Sequence, residues 1–307
     1  MFLPERGPKK KSGIKLSQIP IVIICLLVVA YAVISIAFKP LHNYLLGLFF
    51  EKISKTELAI KHYQKVTATY RTSSWAEPSS KAMSRIGRRL FGDHLDLQYY
   101  KSWTATSKIL LTPSGRSGAP SGQPIELAST IAFKPGFYIE EITRDNRRAG
   151  MRLLNSTGFA QYLGSSRQGV RAGAYAQQME QLIGFGPDKL FDESAKEDAL
   201  DAFFDKLEMR FMGTEDHDDT GEVYVFSVSF SGNGDRKRML GMLSGPFFDW
   251  CSAVRTQEIS EVKYAIRVED GFLARADFMD PSGATVVLQI FSSFESGTDI
   301  PDSRFAR

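Results

Sequence analysis

The residues of this chain that could do chemistry are few, and their spacing argues against each chemistry in turn. The acidic run Glu215–Glu222, EDHDDTGE, places Asp216, Asp218, Thr220 and Gly221 like the opening of a calcium loop. Its twelfth position is Ser227, where such a loop needs a bidentate acid. A solvated loop between a helix and a strand is the reading it leaves. Ser260 and Lys263 have the spacing of a nucleophile and its base on a helix. On a strand, residues three apart face opposite sides, and these two fall in a strand-like run. Glu140 and Glu141 are adjacent on a strand and point apart. Four histidines and no C-x-x-C motif leave no zinc site. Gly184–Pro187 and Gly232–Gly234 lack the rest of any phosphate-binding fingerprint. No enzyme activity, metal or cofactor is therefore expected.

The elements around these residues are more informative. Ile19–Phe38 reads IPIVIICLLVVAYAVISIAF, twenty residues without a charge. At about 1.5 Å per residue a helix of that length covers the roughly 30 Å hydrocarbon core of a bilayer. Arg6, Lys9, Lys10, Lys11 and Lys15 precede it and only Lys39 follows closely, which places the N-terminus in the cytoplasm. A cleaved signal peptide ending at Ala30-Tyr31-Ala32 is the competing reading; the long basic region and the apolar residues after Ala32 favour the anchor. Of the two cysteines, Cys25 lies inside this segment and Cys251 far from it, so no disulfide framework is expected. The net charge of +3 is too mild to imply nucleic acid.

From Leu41 to Ile86 the period is helical. Leu46, Gly47 and Phe50, followed by Ala59 and Tyr63, resemble a single tetratricopeptide repeat, with Arg71 where that repeat usually carries Pro. Gly47 and Ala59 would let two antiparallel helices approach closely. Such a hairpin cannot bury its own face, and Ser74–Leu90 is expected to cover it. The resemblance makes Leu46, Gly47, Phe50, Ala59 and Tyr63 a candidate protein-binding set.

Beyond residue 94 the period switches to two. Trp103–Leu111 and Ile125–Phe133 read as strands flanking a Gly/Pro/Ser-rich loop. Glu222–Phe230, Ile259–Val268, Phe272–Phe278 and Val286–Ile290 alternate as an antiparallel meander, turned at Asp270-Gly271 and Pro281-Ser282-Gly283. Residues 175–212 lack that alternation and read as a helical insert covering the sheet. The expected organisation is a cytoplasmic tail 1–18, a transmembrane anchor 19–38, a helical segment 39–94 and an antiparallel β domain 95–307.

That order resembles the LolA family of periplasmic lipoprotein carriers, with its LolB-like and RseB-like relatives. The likeness is carried by IAFKPGFYIEEI (Ile131–Ile142), RVEDGFLARADFMDPSGATVVLQIF (Arg267–Phe291) and IPDSRF (Ile300–Phe305). It departs at Ile139, where these carriers often have an Arg that ties lid to sheet. The resemblance implies an α+β fold, an unclosed antiparallel half-barrel lidded by central helices, whose apolar face holds acyl chains. On it, Phe137, Ile139, Leu182, Phe185, Tyr224, Phe226, Val228, Tyr264 and Ile266 would line the ligand. The expected function is that of an inner-membrane-anchored periplasmic binding protein for a lipid or lipoprotein. The alternative is a scaffold subunit of an envelope complex that docks a partner protein on the repeat-like helices.

Overall fold

The computed structural model describes residues 19–112, 124–155, 158–163, 166–168, 196–201, 204–205, 208–229 and 259–306. The chain is α+β and divides into two compact units, Met1–Ser80 and Lys81–Arg307.

The first unit holds α1 (Ile19–Ala37), α2 (Lys39–Lys52) and α3 (Thr56–Thr69). Among the described residues no helix is long and apolar enough to cross a membrane. The described side chains of α1, residues 23–32, are all exposed. Phe38 leaves helical geometry (φ −121°, ψ 51°), and Pro40 starts α2, where its missing N–H costs nothing.

Helices α2 and α3 form a close hairpin. A Cβ on Gly47 would lie 2.5 Å from Tyr63 Cε1, so the helices meet at this contact only because residue 47 has no side chain. Ala59, Ile60, Tyr63 and Val66 are fully buried. The Tyr63 hydroxyl donates to Glu51 Oε2 (3.0 Å) and the His62 ring stacks on Phe50. Burial holds His62 below its ordinary pKa, with Lys65 and His42 adding to the effect. Trp75 stacks on Tyr44, and Ser79, in the first turn of α4 (Ala76–Tyr100), is buried.

The expected boundary after residue 94 lies inside α4, whose portion from Lys81 onward belongs to the second unit. That unit is built on one antiparallel sheet. Its strands are β1 (Trp103–Leu111), β2 (Ile125–Lys134), β3 (Phe137–Arg144), β4 (Arg147–Asn155), β5 (Gly158–Leu163), β6 (Ser166–Gln168), β7 (Arg210–His217), β8 (Gly221–Ser229), β9 (Glu261–Arg267), β10 (Leu273–Met279) and β11 (Thr285–Ser296). The sheet order is β6-β5-β4-β3-β2-β1-β11-β10-β9-β8-β7, so among the described residues β6 and β7 are its edges and the sheet is unclosed. The chain builds each half as a meander, and the last strand returns to pair with the first. Trp103 stands opposite Ser296 and Leu111 opposite Val287, with a bulge at Thr106/Ser107.

Two expectations are corrected here. The helical insert does not extend to residue 212: helix α5 spans Lys196–Asp201, and Arg210–His217 is edge strand β7. Phe204, Leu207 and Phe211 recur at three and four, which imitates a helix, but Phe211 pairs across the sheet with Phe226. The acidic run is likewise no loop between helix and strand. It is the tip of the β7–β8 hairpin, with Asp216 opposite Glu222, and extended strand pairing replaces the coiled loop that calcium would need. Residues 175–195 of the expected insert lie outside the described residues, and Leu182 and Phe185 with them.

The Pro281-Ser282-Gly283 turn between β10 and β11 is held by Asp280. Its Oδ1 accepts from Ser282 Oγ (2.6 Å), Ser282 N (2.8 Å) and Ala284 N (3.0 Å). The Ser282 hydroxyl, reinforced by these backbone N–H groups, keeps the Asp280 carboxyl below its usual range against the opposing effect of burial.

Candidate binding faces of the sheet

Directly paired residues of antiparallel strands share a face, so the register sorts every strand residue. Phe211 stands opposite Phe226, Phe226 opposite Tyr264, Tyr264 opposite Ala276, and Ala276 opposite Gln289. Gln289 faces Ile109, Ile109 faces Leu127, and further along β2 Ile131 faces Glu140 and Phe133 faces Tyr138. These residues form the front face. Helix α4 packs on it at the β7–β9 end. The Phe91 ring lies 5.3 Å from that of Phe226, and His94 Nδ1 donates to the Gly271 carbonyl (2.9 Å). Gly87 abuts Phe211 so closely that a Cβ there would collide with its ring.

Five of the expected ligand contacts, Tyr224, Phe226, Val228, Tyr264 and Ile266, lie together on this face. Phe226 is fully buried, with the rings of Phe211, Phe91 and Phe204 at 5.0, 5.3 and 6.4 Å. Its area is spent on seating α4.

Phe137 and Ile139 are on the other face. Ile139 pairs with Ala132 and Leu153 and joins Met151, Ile300 and Phe305 in a separate apolar cluster, against which Phe137 packs. The nine expected contacts therefore do not line one surface. The physical reason is that β3 is buried on both sides: Tyr138, Ile139 and Glu140 are buried in succession, so alternation there does not mark the front.

This back-face cluster joins two of the sequence motifs. Lys134, of the Lys-Pro segment, pairs with Asp302 in the 3₁₀ turn Asp302–Phe305. Its Nζ also lies over the rings of Phe137 (4.7 Å) and Phe305 (5.4 Å) and reaches the Ile300 carbonyl (3.4 Å). The pair with Asp302, four-fifths exposed, contributes little in water. The fully buried Phe305 supplies the packing.

The front face also carries buried polar groups that the alternation pattern missed. Gln289 Nε2 donates to Ser107 Oγ (3.1 Å), and Ser107 Oγ is 2.8 Å from Ser129 Oγ. The Tyr138 hydroxyl donates to Glu140 Oε2 (3.2 Å), and Glu140 is fully buried. This polar set crosses β11, β1, β2 and β3 among Ile109, Leu127, Ile131 and Phe133. Its signal in the sequence is the serine at 107, in the middle of the inward set Trp103, Ala105, Ile109 and Leu111.

The repeat-like residues have a different place from the one expected. Gly47, Ala59 and Tyr63 are consumed in the contact between α2 and α3 and offer nothing to a partner, while Leu46 and Phe50 are half-buried beside them.

No family model and no curated protein matches the chain. Among solved structures, it is similar to an uncharacterized conserved protein from Thermus thermophilus, at 11% identity and a TM-score of 0.40. That match covers 72% of this chain and 93% of the other. It is similar to MucB in the MucA/MucB complex of Pseudomonas aeruginosa (12% identity, TM-score 0.35), over 72% of this chain and 60% of that one. A LolA superfamily protein from Nitrosomonas europaea gives 12% identity and a TM-score of 0.32, over 72% and 97% of the two chains.

Proposed function

We propose that this chain is a non-enzymatic binding protein of the bacterial cell envelope whose β unit holds an acyl chain of a lipid or lipoprotein on the front face of the sheet. In this reading α1 anchors it in the inner membrane, the N-terminus is cytoplasmic and the β unit is periplasmic. The fold is of the LolA/RseB-like kind that the motifs around Lys134 and Asp280 resemble.

The observation that carries the reading is the polar set within an apolar face. A hydrocarbon chain needs the apolar surface of Ile109, Leu127, Ile131 and Phe133. A headgroup or ester needs donors set beside it, and Ser107, Ser129 and Gln289 supply them. With Phe226 committed to α4, the acyl chain is placed between β11 and β3 rather than along β8. Tyr224, Val228, Tyr264 and Ile266 form the margin of that surface.

A fluorescent fatty acid should bind the full chain saturably. Ser107→Ala with Ser129→Ala should weaken it about tenfold, the scale of one or two lost hydrogen bonds, and should leave binding of a fluorescent hydrocarbon chain with no polar end nearly unaffected. Wild-type protein that binds neither probe would sink the reading.

The enclosure of Phe226 by three rings favours a second reading, in which the face is core throughout and the chain is a scaffold subunit that docks a partner protein. The tetratricopeptide-like hairpin would then serve assembly.

A further inference from the structure

The helical hairpin carries an apolar stripe that its own packing does not use. Asn43 and Gly47 of α2 are buried against α3, while Leu45 and Phe49 are turned outward, 44% and 55% exposed. With His42 they fall within an arc of about 60° at 100° per residue, and the exposed Phe38 and Ile53 extend the stripe at either end. Across the turn, Leu58 on α3 is exposed as well. Soluble proteins rarely leave a contiguous set of large apolar side chains in water.

The stripe is continuous with α1. His42 meets the Tyr31 ring edge-on, at 5.2 Å between centroids. Were α1 and α2 one straight helix, these residues would stand about 16 Å apart along the axis. The break at Phe38 therefore folds the start of α2 back beside the end of α1, and the outward face of α2 begins on the apolar surface of α1. Exposed Lys39, Lys52 and Lys55 mark the two ends of α2. Such lysines let an interfacial helix keep its charges among headgroups while its apolar side chains sink into the acyl boundary.

We infer that α2 lies in the membrane surface, with Leu45, Phe49 and Ile53 in the acyl boundary of the leaflet that α1 enters. The inference rests on α1 being the anchor. The hairpin would then be a membrane-bound element and not a free docking arm.

The test uses the full chain with Cys25→Ser and Cys251→Ser, reconstituted in phosphatidylcholine–phosphatidylglycerol vesicles whose acyl chains carry bromine. A single cysteine replaces Leu45, Phe49 or, as a control, the exposed Lys65, and is labelled with an environment-sensitive fluorophore. Flotation after an alkaline wash reports the anchor separately. The expected result is flotation of all variants, with emission at 45 and 49 blue-shifted and largely quenched by bromine while that at 65 is neither. Flotation with unquenched label at 45 and 49 would overturn the inference and leave the anchor standing. A blue shift there without bromine quenching would also overturn it, because a protein partner would then be covering the stripe. Vesicles that float without the chain would remove the anchor reading and this inference together.

Discussion

Phe226→Asp is expected to abolish cooperative folding of the β unit, and Phe226→Ala to cost about 3–5 kcal/mol, the usual loss for a buried Phe. Domains of this kind are stable by only about 5–15 kcal/mol, so the truncation alone should move the urea midpoint far down. The aspartate adds a carboxylate at a fully buried position, a further penalty for a charge taken out of water. The rings around position 226, Phe91, Phe204 and Phe211, offer no donor to it. The effect should reach α4: near-ultraviolet circular dichroism and protection of the amides of Phe91–Leu95 should be lost together. A near-wild-type midpoint for Phe226→Ala would mean that α4 does not seat on β8 and that this end of the sheet is open.

The second large effect is expected at the far end of the chain. Phe305 is fully buried among Ala132, Ile139, Met151, Leu153 and Ile300, and it is the last large apolar residue of the sequence. Phe305→Ala should cost about 3–5 kcal/mol as a core truncation and release residues 300–306 to rapid hydrogen exchange. Lys134→Met should cost much less, because it keeps an apolar stem beside Phe137 and Phe305 and removes only the ammonium's contacts, a largely exposed ion pair to Asp302, a long contact to the Ile300 carbonyl and its place over the two rings. Equal, small losses in both variants would mean that the tail is pinned by charge and not by burial.

These two sites separate what was legible in the sequence from what was not. The meander was legible because β9 and β10 alternate between apolar and charged positions, with turn residues at Asp270-Gly271 and Pro281-Gly283 marking where β10 and β11 begin. The antiparallel arrangement followed from that order, and the open sheet from the LolA resemblance. Strand β7 was hidden because Phe204, Leu207 and Phe211 happen to recur at helical spacing. The face of Ile139 was misassigned because Tyr138, Ile139 and Glu140 are buried in succession, so neither face of β3 stands out as the buried one. The clasp of Lys134 on Asp302 joins residues 168 apart. Both segments stood out as motifs, but nothing in a linear pattern says that they touch. Gly47, Ala59 and Tyr63 were legible as close-packing residues. That packing uses them up, which is a property of the folded hairpin and not of residue type.

Whether the front face between β11 and β3 holds a ligand is answered most directly by native mass spectrometry of the full chain, extracted from membranes in mild detergent and washed free of bulk lipid. The account predicts a dominant species carrying one lipid or acylated peptide, which collisional activation releases as fatty acyl fragments, and a lower occupancy when Ser107 and Ser129 are both alanine. A bare chain, or a chain bound one-to-one to another protein with no acyl mass, would contradict it.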